Sequence, residues 1–163
     1  MDQPTPFTND ELSLLSRAAV MAGAMIAIAR YSGRGGTRDE FQAILSGLEA
    51  AVRRYPDNPI VQSLLNPAAR ADVDRLARQL QGDLRQTTYL DYKMAALNRC
   101  AQAAELLDEK APGQSGLEVR QAILEMCRQV AGASKEGGWM SSQAVDVKEE
   151  GALEELGRVL GLQ

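Results

Sequence analysis

The first segment whose residue types suit chemistry is the glycine-rich run from Ser32 to Thr37. Three arginines, Arg30, Arg34 and Arg38, lie in or beside it, and a glycine-rich turn that leads into a helix N-terminus attracts anions. The run follows a predicted helix, however, and lacks the Gly-Lys-Ser/Thr ending of a nucleotide-binding loop. We therefore interpret its glycines as closing one helix before Thr37 caps the next, with anion binding as the alternative.

A second such segment runs from Lys135 to Asp146 and holds the only tryptophan. Connections of this length are long for a helical bundle and often bind something. Trp139 and Met140 are accordingly our candidate interaction residues. The other interpretation, which large apolar side chains favour, is that the pair folds back on the protein's own core.

Four acidic residues near these segments are candidate ligands for a hard cation: Asp39, Glu40, Glu136 and Glu149. No stretch has the Asp-x-Asp-x-Asp-Gly spacing of a calcium loop. Carboxylates in the first turn of a helix are also explained by the helix dipole alone. The sequence therefore predicts no committed metal site.

The chain lacks the side chains on which the commonest catalytic sites depend. It contains no histidine, which excludes Ser-His-Asp and Cys-His catalysis and the usual zinc sites. Its two cysteines, Cys100 and Cys127, lie among apolar neighbours and are predicted to act as small buried hydrophobes. We expect no catalytic residue and no cofactor, hence a protein that is not an enzyme.

Composition narrows the class of protein further. The chain has 163 residues, the size of one domain, so a single domain over 1–163 is predicted. A net charge of -4 with dispersed arginines makes nucleic acid an unsuitable partner. The longest uncharged apolar run, Ala18 to Ala29, is shorter than the roughly 20 residues of a transmembrane helix. Because the first residues lack the pattern of a secretory signal, we expect a cytoplasmic protein.

The elements that must position these residues are helices, because helix start signals recur along the chain. Thr8 and Glu11 form a capping-box pattern, with Phe7 and Leu12 at the staple positions. The cap-x-x-Glu pattern recurs at Thr37, Ser115 and Asp146, and proline follows a capping asparagine at Asn58 and Asn66. Apolar residues between the starts recur every three or four positions, as in Leu90, Met94, Leu97 and Ala101. The predicted helices are 8–31, 37–54, 59–65, 67–86, 88–110, 116–134 and 147–161. The sequence does not decide whether 67–110 forms one bent helix or two.

The first helix is apolar on every side from Ala18 to Ala29, so other helices must surround it. We predict an all-α, single-domain bundle of six to seven helices packed around this buried N-terminal helix. Each glycine-rich segment links a helix end rich in small residues to a capped acidic helix start. This similarity suggests a pseudo-repeat of two helical hairpins, although any helical hairpin needs these features.

Both ends of the chain resemble bacterial tellurite-resistance TerB-like proteins. The resemblance is carried by Thr8 to Glu11, Tyr55 to Leu65 and Val130 to Trp139, and Lys-Glu-Gly-Gly-aromatic at Lys135–Trp139 is its most specific piece. It implies a bundle of pseudo-repeated helical hairpins, a link to tellurite or general stress resistance, and no established enzyme activity. Several TerB-like proteins carry an acidic residue before the first interhelical glycine, proposed to hold a metal. Here Arg30 stands at that place.

The second glycine segment also departs from the family, with Met140 to Gln143 where relatives have further glycines and aromatics. The expected function is therefore binding rather than catalysis: a stress-response protein that recognises a protein partner or itself, most simply as a homodimer. The alternative is a sensor that binds a small ligand or a metal ion at the two glycine-rich turns.

Overall fold

The structure, a computed structural model, describes residues 6–29, 38–80, 86–133 and 147–162. Within these ranges the regular elements are all helices, and no strand is present. The helices are α1 (Asn9–Ile28), α2 (Arg38–Arg54), α3 (Pro59–Leu64), α4 (Pro67–Leu80), α5 (Gln86–Lys110), α6 (Gln114–Ala133) and α7 (Val147–Val159). The predicted all-α bundle is confirmed.

The described helices bear on two details of the prediction. Helix α4 is described up to Leu80 and α5 from Gln86, and the residues between them lie outside the described ranges, so 67–110 stays open between one bent helix and two. Helix α6 begins at Gln114, so Ser115 lies inside its first turn and the prediction that Ser115 caps this helix is wrong. The two hairpins of the predicted pseudo-repeat, α1–α2 and α6–α7, would each join through a glycine segment outside the described residues, so the repeat stays a prediction.

Helix α1 is the centre of the bundle and contacts each of the six other helices. From Ala18 to Ala29 every side chain except Met21 is buried. By length and composition alone α1 is able to cross a membrane, but 67% of its apolar window is buried within the protein. Its all-round apolar surface is matched by protein neighbours, as the sequence predicted.

Two glycines allow α1, α2 and α6 to meet closely around Met126. A Cβ atom on Gly23 of α1 would lie 2.8 Å from Ile44 Cγ1 and 3.0 Å from Met126 Sδ. One on Gly47 of α2 would lie 2.7 Å from Met126 Cγ. Such distances are below van der Waals contact, so both positions depend on the missing side chain.

The predicted capping box of α1 is present. The Glu11 N–H donates to Thr8 Oγ1 at 3.2 Å, and the Thr8 N–H donates to Glu11 Oε2 at 2.8 Å. Lys110, at the end of α5, donates to the same Glu11 oxygen at 2.7 Å. That hydrogen bond is the main cause of a lowered pKa for the Glu11 carboxyl, and it ties the start of α1 to α5.

Asn58 joins the α2–α3 turn to α6 and uses its whole amide group to do so. Its Oδ1 accepts from the N–H groups of Ile60 and Val61 at 3.0 and 3.1 Å, which caps α3. Its Nδ2 donates to the Ser115 carbonyl at 2.9 Å and to Glu118 Oε2 at 2.8 Å. The residue is buried, so these four bonds replace the water it has lost.

The end of α7 is held by a Schellman motif and by an arginine from α6. Gly161 has a φ of 73°, and the Leu162 N–H donates to the Gly157 carbonyl at 2.8 Å. Arg120 Nη1 donates to the Leu160 carbonyl at 3.0 Å, while its Nη2 donates to the Ala104 carbonyl at 3.2 Å and pairs with Asp108. One guanidinium thus joins α5, α6 and the end of α7.

Candidate functional site

The structure places three of the four predicted cation ligands. Asp39 is exposed in the first turn of α2, whereas Glu40 beside it is only 4% exposed. Glu149, in the first turn of α7, is 0% exposed. Glu136 and the predicted interaction residues Trp139 and Met140 lie outside the described residues, as does the glycine run from Ser32 to Thr37, so these predictions stay predictions.

Glu40 and Glu149 occupy equivalent positions, since each is the third residue of its helix. Carboxylates are almost never fully buried unless paired or hydrogen-bonded, and the N-terminal end of a helix favours their negative charge. Both side chains do have interaction partners. They are the only buried carboxylates among the described residues, which makes them the most unusual polar groups there.

The two buried glutamates do not share a principal packing interface. Helix α2 packs mainly on α6, whereas α7 packs on α5, α6 and α1. Among the described parts of the chain, no three His, Cys, Asp or Glu side chains lie close enough to hold a metal ion. Any cation site that includes Glu40 or Glu149 therefore needs ligands from the rest of the chain.

Both cysteines lie in the core, as predicted. Burial raises the pKa of the Cys100 thiol to about 12 and that of Cys127 well above its usual value. A reactive cysteine needs its thiolate form, and these thiols stay protonated at neutral pH. Cys100 Sγ instead donates to the Ala18 carbonyl at 3.6 Å, packing α5 against α1.

The most exposed apolar residues described lie on α5. Met94 is 71% exposed and Leu90, one turn earlier, is 47% exposed. The side of α5 that enters the core consists of Ala96, Cys100, Ala103 and Leu107. Leu90 and Met94 belong to the apolar spacing of three and four residues that predicted this helix, and yet both side chains are exposed to solvent. We call the stripe of Leu90, Met94, Ala95, Asn98 and Gln102 the outer face of α5.

The five residues of the outer face are uncharged, but the exposed carboxylates of Asp91 and Glu105 lie on the same side of α5, three residues before Met94 and three after Gln102. Ala95, Asn98 and Gln102 are exposed, and Asp91 is the exposed charge at its N-terminal end. Lys93, beside it, is engaged with Glu155 of α7 at 2.7 Å. Sequence reasoning missed this face because α5 has two apolar stripes with helical spacing, and spacing alone does not show which one packs inward.

The segment from Tyr55 to Leu65, part of the resemblance to TerB-like proteins, is structural in this chain. Asn58 connects it to α6, and Gln62 Nε2 donates to the carbonyls of Val52 and Tyr55 at 2.8 and 3.0 Å, which satisfies the end of α2. Ser16 of α1 donates to the Leu64 carbonyl at 3.0 Å. Comparison with family models, curated proteins and solved structures found no match.

Proposed function

We propose that this protein is a cytoplasmic TerB-like stress-response protein that acts without catalysis, by pairing with a second copy through the outer face of α5. The exposure of Met94 carries the proposal. Two large apolar side chains that are exposed one turn apart on the same side of a helix offer apolar area for a contact with another molecule. The resemblance at both ends of the chain supports the stress-response setting.

A second copy suits this face better than a charged partner. The chain has a net charge of -4, so two copies repel each other wherever their acidic surfaces meet. Met94, Ala95, Asn98 and Gln102 present no charge, and the small side chain of Ala95 allows another helix to approach closely. Two outer faces related by a twofold axis would bury the same apolar residues on both sides.

The experiment is light scattering over a dilution series of the wild-type protein and the Met94→Glu variant. We expect wild type to dimerise between about 1 and 100 µM, and Met94→Glu to weaken dimerisation at least about tenfold, because it places two like charges in the interface. Bacteria that produce wild type should also survive tellurite better than bacteria that produce the variant.

Leu117→Glu is the matched control, since Leu117 is an exposed apolar residue of α6 outside the outer face. It should leave dimerisation unchanged, and circular dichroism should show both variants folded. A wild type that stays monomeric throughout the series would contradict the proposal. If Met94→Glu and Leu117→Glu weaken dimerisation equally, the dimer contact does not lie specifically on the outer face of α5.

The burial of Glu40 and Glu149 favours a second candidate function, a cation sensor. Both carboxylates lie at helix starts that follow the two glycine-rich segments, the places where oxygen ligands were predicted. Carboxylate oxygens are the ligands that divalent cations such as Mg²⁺ and Ca²⁺ prefer. Under this candidate, the remaining ligands come from the glycine-rich segments, Glu136 among them.

Thermal melting with Mg²⁺, Ca²⁺ and Mn²⁺ separates the two candidates. A sensor should melt several degrees higher at about 100 times its dissociation constant. Glu40→Gln and Glu149→Gln should each lower the rise, and the double variant should abolish it. Asp74→Asn is the control, because Asp74 is an exposed carboxylate of α4 that belongs to neither helix start. A melting temperature indifferent to all three ions would reject the sensor and leave self-association.

A further inference from the structure

A cleft between α1, α4 and α5 lies apart from the outer face and from the buried glutamates. Its volume is about 450 Å³, within the range of small-molecule sites. Eight residues line it: Arg17, Val20, Met21, Asp72, Arg75, Leu76, Gln79 and Tyr92. The lining combines an apolar wall of Val20, Met21 and Leu76 with polar and charged side chains.

The cleft carries an excess of positive charge in an acidic protein. Arg75 Nη2 pairs with Asp72 Oδ1 at 3.0 Å, so these two charges largely offset each other. Arg17 is exposed and forms no ion pair within the part of the chain that the structure describes. The sum over Arg17, Arg75 and Asp72 is therefore one positive charge, which matches a monovalent anion.

Tyr92 supplies an unused hydrogen-bond donor at the same place. Its hydroxyl is buried and has no hydrogen-bond partner among the described residues. Burial raises the pKa of Tyr92 far above its usual value, so the hydroxyl keeps its proton at every physiological pH. An unpaired buried hydroxyl costs stability, and phenylalanine would fill the same space without that cost.

The hydroxyl is covered in this structure by its surroundings, which include charged side chains that are able to move. Asp72 and Arg75 lie close enough to influence Tyr92 electrostatically. The Arg75 side chain is about half exposed, so a change of rotamer costs little. An incoming anion that draws Arg75 away from Asp72 would therefore gain both the guanidinium and access to the Tyr92 hydroxyl.

From this arrangement we infer that the cleft binds a small organic carboxylate with an apolar body. The carboxylate pairs with Arg17 and Arg75 and accepts from the Tyr92 hydroxyl, while the hydrocarbon part lies on Val20, Met21 and Leu76. The site is independent of self-association, since none of its lining residues belongs to the outer face of α5.

The test is isothermal titration calorimetry of the full chain with octanoate, with 1-octanol and acetate as probes that lack the charge or the apolar body. Octanoate should bind at least about tenfold more tightly than either. Arg17→Gln should weaken octanoate binding about tenfold, because it removes a charged partner. Arg78→Gln, an exposed arginine of α4 outside the cleft, should leave the affinity unchanged.

Tyr92→Phe gives a second readout that a purely structural tyrosine would not give. We expect the ligand-free variant to melt a few degrees higher than wild type, because the unpaired hydroxyl is gone, and yet to bind octanoate several-fold more weakly. A lower melting temperature would show that the hydroxyl already has a partner. Absence of octanoate binding, equal binding of 1-octanol, or equal effects of Arg17→Gln and Arg78→Gln would overturn the inference.

Discussion

Ala22→Asp should unfold the protein. Ala22 lies on α1 with 0% of its surface exposed, in a helix that every other described helix contacts. An aspartate there would bury a carboxylate with no cation beside it, at a cost of at least about 5 kcal/mol. Because a domain is stable by only about 5–15 kcal/mol, that cost removes at least a third of its stability and, at the lower end of the range, all of it.

Ala71→Asp is the matched control, since Ala71 is exposed on α4, outside the outer face of α5. The same substitution there should cost less than about 1 kcal/mol, mainly through lower helix propensity. Urea denaturation followed by circular dichroism measures both variants. A cooperative Ala22→Asp transition near the wild-type midpoint would refute the central position of α1.

Asn58→Asp should be the second most damaging substitution, although it changes one atom. An aspartate would still cap α3 by accepting from Ile60 and Val61. It would lose both Nδ2 donor contacts and place a carboxylate against Glu118, where Asn58 now donates at 2.8 Å. We expect a loss of about 3–5 kcal/mol in the free energy of unfolding, because the new charge is buried beside a like charge.

The double variant Asn58→Asp with Glu118→Gln tests the cause of this loss. A glutamine at 118 removes the like charge and offers an amide donor, so the pair should recover at least about 1 kcal/mol relative to Asn58→Asp alone. Asn9→Asp, at the exposed first residue of α1, should be neutral or slightly stabilising, because a helix start favours a negative charge. Lack of any recovery in the double variant would mean that the loss comes from the contact with the Ser115 carbonyl and from burial of the new charge, and not from the contact with Glu118.

The fold was predictable from the sequence because its main signals are local. The caps at Thr8, Asn58 and Asn66 each act within one helical turn, and all three are present. The start of α6 was not predictable in the same way. The Leu117 N–H bonds to the Gly113 carbonyl, so the helix begins ahead of Ser115. A Cβ on Gly116 would lie 2.0 Å from the Ala111 carbonyl oxygen, a close approach within the α5–α6 turn that no capping pattern records.

The candidate sites were less predictable, since they depend on how helices rotate and pack. Met94 counted toward an apolar period but faces solvent, because small side chains such as Ala96 and Ala103 bring the other side of α5 against α1. Arg17, Arg75 and Tyr92 come from three helices and have no shared sequence pattern. The sequence identified Glu40 and Glu149 by their places at helix starts, but it did not predict that either side chain is buried.

The central helix α1 is synthesised before the helices that surround it. This helix is made first, while α5 begins only at Gln86 and α6 ends at Ala133. At ribosomal speeds of about 5–20 residues per second, several seconds separate the emergence of α1 from that of these partners. During that interval the apolar surface of α1 is exposed, because the helices that bury it have not yet been synthesised. Folding must therefore finish after most of the polypeptide has left the ribosome. Truncated products that end before α6 should depend most strongly on chaperones to stay soluble.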